Sequence, residues 1–138
     1  MRVVLDTNVL LSALISPHGA PDAIYRAWRA AKFDLVTSTL QLDELRRASR
    51  YIKFQTVLQP HLVGTMVNNL QRAIVLDRLS TDVEVDDPDD AFLIAMAIAG
   101  KADYLVTGDY RAGLLQKGHV ERTRVVTPGI FFAEVLAS

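Results

Sequence analysis

The chain has 138 residues, of which 50% are hydrophobic and 22% charged, with a formal net charge of −1. That size suits one domain spanning 1–138 with a real core, and the apolar fraction excludes a chain disordered throughout. The absence of cysteine excludes a disulfide scaffold, a zinc–thiolate centre and a cysteine nucleophile, and suits a reducing cytoplasm.

Arg2 to Asp6 is a brief β-branched apolar run ending in a carboxylate, and reads as a buried strand. Val9 to Ile15 is apolar and stops at the turn signal Ser16-Pro17-His18-Gly19. Pro21 opens a helix to about Lys32, with Ala23, Ile24, Ala27, Trp28 and Ala31 at helical spacing. Phe33 to Val36 is a second strand. Ser38 with Gln41 three residues on is a capping-box pattern, so a helix follows with Leu42 and Leu45 inward, fraying near Ser49. Residues 51–59 carry no clear signal. Pro60 to Ala73 reads as a helix burying Leu62, Met66, Val67 and Leu70, and Ile74 to Leu76 as a third strand.

Asp77 to Asp87 is an acidic loop. Asp87-Pro88 suits a helix N-cap followed by proline at the first helical position, and Gly100 suits the helix stop. The nine apolar residues from Ala91 to Ala99 are too few to cross a bilayer, so no membrane partner is expected. The N-terminal apolar stretch, broken by Asp6 and Asn8, is a poor signal peptide. Tyr104 to Val106 is a fourth strand, Gly113 to Gly118 a short helix and turn, Arg124 to Val126 a fifth strand, and Pro128 starts a last helix ending near Leu136. Strands and helices alternate throughout, which predicts a mostly parallel sheet of about five strands between helical layers, an α/β/α sandwich.

The net charge argues against a polyanionic partner, but it hides a pattern. Residues 1–60 hold eight basic and five acidic groups, residues 61–99 two and seven, and residues 100–138 five and four. In an open α/β sheet, ligands bind beyond the carboxyl ends of the strands. Asp6 follows the first strand, Glu44 lies on the helix after the second, Asp86, Asp87, Asp89 and Asp90 follow the third, and Asp109 follows the fourth. Clustered carboxylates repel one another, and a divalent cation relieves them. Hard oxygen donors favour magnesium or manganese, one or two ions, which at phosphodiesters activate water and neutralise charge. Arg46, Arg47, Arg50 and Lys53 suit phosphate contact, an acidic protein segment, or simply a solvated helix face.

Asp6-Thr7-Asn8-Val9-Leu10, Glu44 within Leu42-Asp43-Glu44-Leu45, Asp87-Pro88-Asp89-Asp90 before an alanine-rich helix, and Tyr104 to Asp109 resemble the PIN-domain family. The nearest likeness is to the toxin component, VapC-like, of VapBC toxin–antitoxin pairs. The resemblance implies a single PIN-like endoribonuclease domain that uses magnesium or manganese and leaves 5′-phosphate and 3′-hydroxyl ends. Carried over by position, Asp6, Glu44, Asp90 and Asp109 match the acidic quartet that binds metal and acts in catalysis. Asn8 and Thr107 match its supporting residues, and Asp87 and Asp89 are alternative registers for the third acid. The chain departs from close relatives at Arg111, where they often have a second aspartate. An RNA substrate, an antitoxin protein and a homodimer are implied as partners. With the quartet counted as metal ligands, fifteen basic groups face twelve acidic ones, so the composition suits an RNA substrate. Two other classes stay open: a non-catalytic binding module of the same fold, and an aspartyl-phosphate phosphatase with Asp6 as nucleophile, which normally needs an aspartate where this chain has Asn8.

Overall fold

The computed structural model describes residues 1–48, 50–51, 57–79, 88–108 and 113–137, with backbone alone at 88–90. The chain runs β1 (Arg2–Leu5), α1 (Thr7–Ile15), α2 (Ala20–Arg29), β2 (Asp34–Ser38), α3 (Thr39–Ala48), α4 (Pro60–Leu70), β3 (Ile74–Leu76), α5 (Pro88–Ala99), β4 (Tyr104–Val106), α6 (Leu114–Lys117), β5 (His119–Val120), β6 (Thr123–Val126) and α7 (Pro128–Phe131). A wider π-helical turn, Phe132–Leu136, continues α7. The sheet order is β3-β2-β1-β4-β6-β5, parallel except for β5 against β6.

The central strands are short apolar runs because both faces are covered. Side chains alternate between the faces. Val3, Leu5, Leu35, Val106 and Val126 pack with α1 to α4 and Phe131. Val4, Val36, Leu105 and Val125 pack with Leu93, Ile94, Met96 and Ala97 of α5 and Leu114 of α6. The result is the expected α/β/α sandwich. No helix among the described residues is long and apolar enough to cross a membrane.

Three local expectations needed correction. The sheet has six strands, because β5 pairs antiparallel with β6. A two-residue strand has no readable period, and its turn uses Glu121 at φ 52° rather than a glycine or asparagine signal. Strand β2 runs on through Thr37 and Ser38, both fully buried; polar residues there looked like the strand's end. On α4 the inward set is Val63, Met66, Val67 and Leu70, with Leu62 only half-buried. The proposed cap at Asp87 and the fraying at Ser49 lie outside the described residues.

Asp103 braces the edge of the sheet where the parallel strands begin. Its carboxylate accepts from the Arg2 amide at 2.9 Å and from Arg122 Nη2 at 2.7 Å. The Arg2 N–H first, and then Arg122, hold this carboxyl below the ordinary carboxylate range. A lowered folded pKa stabilises above the unfolded value, near pH 4, and that stability drains as pH falls through the folded value. The side chain is one-third exposed, so screening limits the effect to about 1 kcal/mol or less. Asp103→Asn should therefore lower the melting temperature slightly at pH 7, and the gap from wild type should narrow as pH falls below the ordinary carboxylate range. A gap that is constant with pH would show that the charge is not the cause.

Candidate functional site

Parallel strands all end at one edge, so their following residues converge although they are far apart in the chain. Asp6 follows β1 and Thr107 follows its neighbour β4. Both are buried, at 9% and 1% exposure. The Thr107 hydroxyl donates to Asp6 Oδ2 at 2.8 Å, and the Asp6 amide donates to the Val106 carbonyl at 2.9 Å. Asp6 Oδ1 accepts from the Asn8 amide at 3.2 Å, so the same carboxylate caps α1. That contact uses Asn8's backbone; its side chain is exposed. The Thr107 hydroxyl and the Asn8 amide are neutral donors that orient the carboxylate.

Glu44 sits half-buried on α3, the helix that leaves the same edge directly after Ser38. Helix α5 ends at the opposite edge: Arg2 Nη1, at the start of β1, donates to the Gly100 carbonyl at 3.1 Å. A Cβ on Gly100 would lie 2.6 Å from Val36 Cγ1, so glycine lets the helix end meet the sheet. Over 12 residues the helix spans about 18 Å, so its first turn, with Asp89 and Asp90, starts back at the strand-end edge. The side chains of Asp89 and Asp90, and all of Asp87, Asp109 and Lys53, lie outside the described residues. Among the described residues no three acidic or histidine side chains group closely enough to hold a metal.

Arg46 and Arg50 line a groove of about 450 Å³ between α3 and α4, with Val63, Val67, Asn68 and Gln71 on its far wall. Arg46 also pairs with Asp43 at 2.9 Å, and Arg47 Nε reaches the Asp43 carbonyl at 3.4 Å.

A buried polar cluster beside Asp6 was not expected. The capping box is half right: the Gln41 amide donates to Ser38 Oγ at 3.1 Å. The Gln41 side chain instead turns into the sheet, donating to the Leu5 carbonyl at 2.7 Å and accepting from Thr37 Oγ1 at 2.6 Å. The carbonyl at the end of β1 needs a donor there. The clue available was a glutamine among inward-facing leucines.

A family model described as a PIN domain matches residues 2–111. Among solved structures, a chain in the crystal structure of VapBC2 from Rickettsia felis, bound to a DNA fragment from their promoter, is similar at a TM-score of 0.59. It shares 19% identity over 92% of this chain and 98% of that one. At that identity the likeness shows the fold. No curated protein matches the chain.

Proposed function

The chain belongs to the PIN-domain family, and from that premise we propose that it is a metal-dependent endoribonuclease, the toxin of a toxin–antitoxin pair. The observation that carries this reading is Asp6: a buried carboxylate at a strand end, held by the Thr107 hydroxyl and the Asn8 amide. Hard oxygens from Asp6 and Glu44 at one edge fit magnesium or manganese rather than zinc. In this reading Asp6, Glu44, Asp90 and Asp109 hold one or two ions, with Asp87 and Asp89 as the alternative registers for the third acid. When bound, such an ion lowers the pKa of a water and neutralises phosphate charge.

The chain's own residues do the rest. Thr107 fixes the Asp6 carboxylate in one orientation. The Asn8 amide holds its other oxygen. Arg46 and Arg50, with Arg47 and Lys53 nearby in sequence, meet the RNA backbone; loss of about one unit of salt slope in Arg50→Ala would support this, and an unchanged slope would remove it. The absence of cysteine supports work in the cytoplasm.

Highly purified protein should cleave RNA with added manganese and stop when a chelator is present. Cleavage that survives the chelator overturns the metal reading, and no cleavage under either condition favours a binding module. The likeness to the VapBC2 complex supports an antitoxin partner, whose co-purification when the adjacent open reading frame is co-expressed is the test. A homodimer is also proposed, and light scattering that shows only monomer at high concentration would remove it.

A further inference from the structure

We infer that Gln41 is a positioning residue that sets the spacing between the strand carrying Asp6 and the helix carrying Glu44. The inference rests on the proposed metal-dependent reading of that site. Pairing between β1 and β2 stops at Val4 opposite Val36, while β1 stays paired to β4 through Leu5 opposite Val106. Strand β2 meanwhile follows β3 through Ser38 opposite Leu76. Strands β1 and β2 therefore stop pairing just before Asp6. The Gln41 side chain fills the gap at 1% exposure.

Its amide orientation is dictated by its partners. A carbonyl only accepts, so the nitrogen faces Leu5, and the oxygen takes the Thr37 hydroxyl. Gln41 Nε2 also donates to Thr7 Oγ1 at 3.4 Å. One side chain thus joins the residue before Asp6, the residue after it, β2 and α3. Glu44 comes three residues after Gln41, on a neighbouring strip of the same helix. If the link to Leu5 is lost, α3 and the end of β1 are free to shift relative to each other, and the two carboxylates with them.

The test is manganese binding by calorimetry on the full chain, with melting curves as a check on folding. Gln41→Met keeps the volume and removes the amide, and about tenfold weaker manganese binding is expected, the lower end for residues that orient metal ligands. Half-maximal RNA cleavage should need about tenfold more manganese, with the KM for RNA unchanged and the rate restored at saturating metal. Thr37→Val, which frees only the far end of the amide, should show a smaller loss. Wild-type affinity in Gln41→Met overturns the inference alone. If Gln41→Met fails to fold, unchanged affinity in Thr37→Val overturns it. A wild-type protein that takes up no manganese overturns the functional reading as well.

Discussion

Asp6→Asn is expected to cut metal-dependent RNA cleavage at least about a hundredfold while the protein stays folded. A metal supplies several kcal/mol of charge stabilisation and a reactive water at neutral pH, and about 2.7 kcal/mol is already a hundredfold. Asparagine removes the charge that holds the ion. The variant isolates that charge because asparagine caps helices as well as aspartate does. Its side-chain oxygen can still accept from the Asn8 amide, which now donates to Asp6 at 3.2 Å. The Thr107 hydroxyl, now a donor to Asp6 at 2.8 Å, can rotate and accept from the new side-chain nitrogen. The melting temperature should therefore stay close to that of the wild type. Activity retained in this variant removes Asp6 from the chemistry and leaves it a helix cap. Activity lost together with the fold would mean that its capping and bracing role dominates.

Phe131→Ala should do the reverse: a large loss of stability, with catalysis intact while the protein is folded. Phe131 is fully buried. Its ring meets Phe33 edge-on at 5.6 Å and Tyr104 at 5.3 Å. Both partners stand where β2 and β4 begin, at the edge away from Asp6. Truncating a buried phenylalanine costs about 3–5 kcal/mol, from lost transfer energy and the cavity left behind. For a chain of this size that is a drop of roughly 10–20 °C in melting temperature. A drop under about 3 °C would show that the C-terminal segment is not part of the core. The point matters because Phe131 lies beyond the residues matched as a PIN domain, 2–111. The β6 strand and α7 nevertheless finish the sheet and the core, with Thr127 Oγ1 capping α7 through the Ile130 amide at 3.1 Å.

Most of the architecture was legible along the chain because its signals are local. Buried parallel strands must be short apolar runs, as at Val3 to Leu5 and Leu105 to Val106. Helices announce themselves by spacing and punctuation, as with Pro60 at the start of α4 and Gly100 after α5. The places where reading failed have separate causes. Thr37 and Ser38 are polar yet fully buried, because Thr37 meets Gln41 and Ser38 meets the amide of α3. The antiparallel β5 is too short to carry a pattern. The helix α1 begins at Thr7, earlier than the apolar run from Val9, because the Asp6 carboxylate supplies the cap.

The sequence by itself determined the alternation of elements and the parallel sheet, and from these the expectation that acids after strands one, two, three and four share one edge. Spacing, β-branching and capping residues act within a few positions of one another, so they are visible in order. Only the tertiary structure decided that Asp6 meets Thr107 across 101 positions, and that Gln41 bonds Leu5 across 36 positions. Such bonds have no period and no local composition. They exist because adjacent parallel strands bring remote polar groups into a buried edge, where each donor and acceptor must find a partner.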